Sequence, residues 1–171
     1  MKRLFSVLFM LMGFIASYAQ SNTKFPEDFL GIYKGDLQIH SSKGKQTITM
    51  EFHLLETATE GKYEYKLVYS GNPRNYTLVV KDKEKGLFEV DENNGIVLPV
   101  KFVENSLYSF FEVGGSMLTT RLSFKDKLID FEILFSATKN KTTTGKGTKE
   151  IPFVYGYPIS VVQRAELKLI E

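Results

Sequence analysis

Residues 31–169 alternate apolar and polar side chains with a period of two, and Gly, Asn, Asp or Lys breaks the alternation about every ten residues. Few patterns restrict a fold more. Successive side chains of a strand point to opposite faces, so this alternation makes one dry face and one wet face, and no long helical period competes with it. In QTITMEFHLLE, the residues Ile48, Met50, Phe52 and Leu54 share one face, while Thr47, Thr49, Glu51 and His53 share the other. KYEYKLVYS sets Tyr63, Tyr65, Leu67 and Tyr69 against Glu64, Lys66 and Ser70. KLIDFEILFSA sets Ile129, Phe131, Ile133 and Phe135 against Asp130 and Glu132.

The breaks carry turn chemistry. Asn94-Gly95 between LFEVD and GIVLPVKFV predicts a tight type I′ hairpin, because both central residues of that turn need positive φ. Gly114-Gly115 joins LYSFFEV to MLTTRLSF in the same way. Pro99 lies on the outward parity of its segment and predicts an edge or a bulge, since proline has no N–H for a ladder. The polar tract TKNKTTTGKGTKE (residues 138–150) interrupts the pattern and reads as the longest loop or a hairpin tip. FVYGY follows, and a last strand, ISVVQRAELKLI, places Ala165, Leu167 and Leu169 together. About ten sequential strands with short turns predict an all-β antiparallel up-and-down meander. Closing it into a barrel removes the exposed edges that would invite aggregation. A β-sandwich is the rival fold, and the lack of a 20-to-50-residue repeat disfavours a propeller.

Residues 1–19, MKRLFSVLFMLMGFIASYA, hold two basic residues, an apolar run of about a dozen, and small residues at Ser17 and Ala19. This reads as a signal peptide cleaved to leave Gln20 first, with residues 20–171 as a single barrel domain that begins to look folded at FLGIYKGDLQIH (residues 29–40). A membrane span needs roughly 20 apolar residues, more than the run supplies. No cysteine follows it to carry a lipid, so the mature chain is expected to be secreted or periplasmic, with no integral membrane span. The 22 Lys and Arg exceed the 20 Asp and Glu only through Lys2 and Arg3. The mature domain is therefore formally neutral and has no general electrostatic reason to bind nucleic acid or an anionic membrane. With no cysteine for disulfides, stability has to come from burial, for which 14 Phe and 9 Tyr are the main supply.

The order of a Gly-x-aromatic first strand, Gly31-Ile32-Tyr33, a meander of about ten strands and Arg164 in the last strand resembles the calycin superfamily, the lipocalins and fatty-acid-binding proteins. In that family an N-terminal Gly-x-Trp element closes one barrel end, and a basic residue late in the chain often packs over the aromatic ring. The resemblance implies a lipocalin-like barrel whose closure residues are Gly31, Tyr33 and Arg164, with Tyr standing where the family has Trp. Independently of it, Gly31 lets two backbones approach closely and Tyr33 supplies a plug, whereas ordinary core and surface roles for Tyr33 and Arg164 remain open.

Catalytic and metal sites usually draw on His, Cys or clustered carboxylates, and the supply here is thin. His40 and His53 fall on the wet parity, and a surface metal pair would need them at matching height on adjacent strands. The Asp91-Glu92-Asn93-Asn94 cluster reads as a turn, because calcium loops need more ligands at wider spacing. TTTGKGT (residues 142–148) fails as a phosphate loop: Asn140 stands at the first glycine position, Gly147 at the hydroxyl position, and no helix follows. No catalytic residue, metal or cofactor is expected.

Tyr63, Tyr65, Tyr76, Phe88, Phe102, Phe111, Phe131 and Phe135 are expected to point inward and form the ligand-binding set. Two functions follow. One is a non-enzymatic barrel binding a small hydrophobic or amphipathic molecule in its lumen. The other is a structural or protein-interaction barrel with a solid core, acting through its loops. An enzyme using lumen carboxylates is disfavoured by the wet parity of the acids. An outer-membrane barrel is disfavoured by the absence of a terminal aromatic residue and of evident aromatic girdles.

Overall fold

The computed structural model describes residues 24–171. The signal segment expected over residues 1–19, and the start at Gln20, lie outside the described residues. The first half carries strands β1 (Gly31–Ser41), β2 (Gly44–Glu56), β3 (Lys62–Tyr69), β4 (Asn72–Asp82), β5 (Leu87–Asp91) and β6 (Val97–Val103). The second half carries β7 (Ser106–Val113), β8 (Ser116–Lys125), β9 (Leu128–Ala137), β10 (Thr142–Thr144), β11 (Val154–Gly156) and β12 (Val161–Leu169). From β1 to β9 each strand pairs antiparallel with the next; β9 then pairs with β12, and β12 returns to β1, closing a ten-stranded barrel. This is the up-and-down barrel the alternation predicts, an architecture that fits a calycin-like fold in general terms. FVYGY is not a barrel strand: its Val154–Gly156 pairs with Thr142–Thr144 in a separate hairpin beyond β9.

The dry parity points inward. Leu37, Met50, Phe52, Leu54, Leu78, Ile129 and Leu167 are all fully buried, while the outer wall carries ion pairs such as Lys34–Glu51 and Arg164–Glu132. Gly114 and Gly115 both have positive φ and form the two-residue turn expected there. Asn94-Gly95 does not. Positive φ falls on Asn93 and Gly95, and the Asp91 and Asn94 side chains accept hydrogen bonds from the Asn93 and Ile96 amides, so carboxylate and amide oxygens shape a longer loop. At Pro99 the β6–β7 ladder stops after Lys101↔Tyr108, Phe102↔Leu107 and Val103↔Ser106. Pro99 still pairs with Glu89 on β5, and on the β7 side the Ser109 hydroxyl donates to its carbonyl at 3.2 Å. The proline has no N–H to continue that ladder, and the two strands part beyond it.

One barrel end is shut by two phenylalanines just before β1, of which Phe25 lies ahead of the stretch that looked folded. Phe25, two residues before a short 3₁₀ turn at Glu27–Phe29, and Phe29, its last residue, are almost completely buried. The Phe25 ring stacks on Phe102 at 4.2 Å and meets Phe88 edge-on at 5.0 Å and Phe124 at 5.4 Å. Tyr33 is buried as expected, but it acts as a latch: its hydroxyl donates to the Phe29 carbonyl at 3.0 Å, and the plug itself is phenylalanine. Gly31 (φ +148°) sits where a Cβ would meet Leu169 Cδ1 at 2.3 Å and the Glu171 carbonyl at 2.7 Å, so the close approach expected of it is present at the β1–β12 seam.

Arg164 takes no part in this closure. It lies on the outer wall, where its Nε donates to Glu132 at 2.6 Å, whereas the partner of Tyr33 on β12 is Leu169. Five residues along a strand separate the two positions by roughly 17 Å, on opposite faces of the sheet.

Candidate binding lumen

At the end opposite the plug the barrel interior is not filled. A cavity of about 190 Å³ lies among Tyr65, Tyr69 and Tyr76 on one side and Val100, Leu107 and Leu118 on the other. A larger hollow of 490 Å³ is an open depression lined by charged residues of the outer wall, including Arg121, Glu132 and Arg164, whereas another open one of 600 Å³, lined by the inward-facing Leu37, Ile39, Ile48 and Gln163, adjoins the cavity at Tyr69, Arg74 and Ile133. The lumen is smaller, more enclosed and mostly apolar, and those properties favour a small ligand more than volume alone does. An apolar cavity of about 150 Å³ is enough to hold benzene, so the enclosed part of this one suits a compact apolar group.

Strand parity explains the lining. Leu67, Tyr65 and Tyr69 come from the inward face of β3, and Arg74 and Tyr76 from that of β4. Phe52 meets the Tyr65 ring edge-on at 4.9 Å, and Tyr65 lies over Tyr76 at 6.5 Å, so a row of rings crosses β2, β3 and β4 along one wall. Ser109 and Thr120 add hydroxyls on the facing wall, and Arg74 and Glu92 bring the only charges to the lining. Burial pushes the Tyr65 phenol far above its ordinary value and raises Tyr69 to about 12. Burial also raises Tyr76, with Glu92 adding to the effect and Arg74 opposing it. At neutral pH these phenols are neutral hydrogen-bonding groups that can orient the polar end of a ligand. The lining holds one carboxylate and no histidine, a poor set for acid–base chemistry.

These phenols also make stability depend on pH. An unfolded tyrosine loses its proton near pH 10, while the folded ones hold theirs higher, so the unfolded chain deprotonates first as pH rises. Tyr69's contribution is fully present below about pH 10 and declines from there towards about 12. Urea melts across that range should show the midpoint falling, and Tyr69→Phe should flatten part of the slope. A slope unchanged by Tyr69→Phe would assign the decline to the lysines instead.

Of the eight inward aromatics expected to bind a ligand, Tyr65, Tyr76 and Phe111 line the cavity. Phe88 and Phe102 serve the plug at the other end. Tyr63 also belongs to that end: its hydroxyl donates to Glu27 at 2.9 Å, and its phenol is pushed up to about 12 by burial and the Glu27 carboxylate. Lys83 donates to the same Glu27 oxygen, Oε1; burial raises the Glu27 carboxyl, but hydrogen bonds from Lys83, its own backbone and Tyr63 leave it below its ordinary value. Phe131 is buried in the packed wall, and Phe135, half-buried, lies beyond Ile133 outside the lining. Tyr69, Arg74, Glu92, Ser109 and Thr120 were not in the expected set. Counting by twos back from Leu78 places Arg74 inward, and counting from Leu107 does the same for Ser109, so parity held that signal.

His40 and His53 do lie on adjacent strands, but His53 stands opposite Ile32, eight residues down β1 from His40. That is roughly 27 Å, and the two cannot share an ion. His53 instead bonds Glu51 at 3.1 Å on the outer wall. Among the described residues no group of three His, Cys, Asp or Glu side chains is placed to hold a metal, and no helix is long and apolar enough to cross a membrane. No model of a known protein family matches the chain, and no curated protein is similar to it.

Proposed function

We propose that this is an exported, lipocalin-like barrel that binds one small, compact apolar or amphipathic molecule without transforming it. The observation that carries the reading is the asymmetry of the interior: aromatic rings fill one end, and a cavity ringed by neutral phenols remains at the other. A ligand enters at the mouth, displaces water from Val100, Leu107 and Leu118, and is held mainly by burial. Tyr69, Tyr76 and Arg74 offer donors to a polar substituent left near the rim. The enclosed part of the cavity takes an apolar group of roughly six to ten non-hydrogen atoms.

Native mass spectrometry of the purified protein mixed with indole, toluene or p-cresol tests this. A single adduct per chain with at least one of them, or a co-purified compound of that size, is expected. Bare protein in every mixture would remove the reading.

A further inference from the structure

Among the described residues fourteen large apolar side chains are exposed, and six of them fall within nine residues: Ile151, Phe153, Val154, Tyr155, Tyr157 and Ile159. They belong to the excursion between β9 and β12 (residues 138–160), which carries the β10–β11 hairpin. That hairpin has three rungs and no interior, so core packing does not account for its aromatics. The same excursion presents Lys139, Lys141, Lys146 and Lys149, all exposed, against a single acid, Glu150.

Geometry joins the two features. The Lys141 ammonium lies 4.3 Å from the centre of the Tyr155 ring. Phe153 shares the parity of Tyr155, and its ring lies against Gly147, where a Cβ would meet it at 2.5 Å. The base of the excursion is fixed to the open barrel end: Thr138 bonds the Gly115 carbonyl through its amide and its hydroxyl, and Ser136 donates to the Pro158 carbonyl at 2.7 Å. Lys43 and Lys45, at the β1–β2 turn, stand at the same end, because Ser41 pairs with Val161 where the excursion rejoins the barrel.

We propose that this excursion docks the mouth of the barrel on an anionic lipid bilayer. Exposed aromatic rings with short lysine tethers suit the interfacial zone, where the ring enters the headgroup boundary and the ammonium stays with lipid phosphate. Clustered lysines gain from the negative surface potential, which falls off within a Debye length and so rewards only charges held at the surface. A neutral protein surface would complement the apolar residues and leave the lysines without partners. This docking does not depend on what the lumen holds.

The chain has no tryptophan, so Phe153→Trp supplies a unique reporter. With vesicles of equal parts phosphatidylcholine and phosphatidylglycerol its emission should shift to shorter wavelength. Phosphatidylcholine alone should give no shift, and Phe110→Trp on the barrel wall should give none with either. In co-sedimentation, Lys146→Glu with Lys149→Glu should weaken binding to the mixed vesicles about tenfold or more. Lys127→Glu with Lys168→Glu, an equal charge change at the plugged end, should leave it unchanged. Failure of the parent protein to bind, or equal losses from both lysine pairs, would overturn the proposal. Dimerisation abolished by Phe153→Ser would assign the face to a second copy of the chain instead.

Discussion

Phe25→Ala is expected to destabilise the protein by about 3–5 kcal/mol, the range for deleting a buried phenylalanine. The ring is 3% exposed and touches Phe29, Phe88, Phe102 and Phe124, so its loss leaves a hole ringed by side chains that cannot easily collapse. For a domain of this size the midpoint of thermal unfolding should fall by roughly 10 °C or more. Phe110→Ala is the comparison. That ring is 60% exposed, and its removal should stay within about 0.5 kcal/mol. A Phe25→Ala protein as stable as its parent would mean that the segment before β1 does not plug the barrel.

Gly35→Ala is the second large effect, and it acts through space alone. A Cβ at Gly35 would lie 2.2 Å from the Glu166 carbonyl oxygen, a backbone atom that cannot rotate away, and 3.2 Å from Leu167 Cδ2. Either β1 moves off β12 or the strand bends, at a cost of about 3 kcal/mol for overpacking so tight a contact. The damage is local at first, so amide exchange along β12 should speed up more than exchange along β5. Wild-type melting together with unchanged exchange at β12 would contradict the close approach of these strands.

The fold was legible in the sequence because one signal, period-two alternation, was repeated along nearly the whole chain. Met50, Phe52 and Leu54 on β2, and Ala165 and Leu167 on β12, are buried where counting by twos puts them. Parity, however, is blind to height along the barrel axis. It placed Phe88 and Phe102 on the same face as Tyr65 and Tyr76, although the first pair packs on the plug and the second lines the cavity. Height depends on register between strands, and register depends on turns: Ser70-Gly71 and Glu104-Asn105 take positive φ at both residues, and the second pair bears no glycine to announce it.

Phe25 was missed for a different reason. It precedes the first strand, where there is no alternation to count, and its burial is a tertiary event decided by the open end of the barrel. For Arg164 the family resemblance implied a closure role while the residues left an ordinary surface role open, and the surface role is the one the barrel gives it. The barrel pairs it with Glu132 on the neighbouring strand.

The central claim is that the lumen accepts a molecule, and two adjacent residues test it. Thr120 lines the cavity and also borders the groove on the outer wall, whereas Thr119 lines the groove alone. Calorimetric titration of indole into the parent protein, Thr120→Phe and Thr119→Phe should give one site in the parent, one site of unchanged affinity in Thr119→Phe, and no measurable heat in Thr120→Phe, with all three proteins folded. Equal binding by the two variants, or none by the parent, would contradict the account.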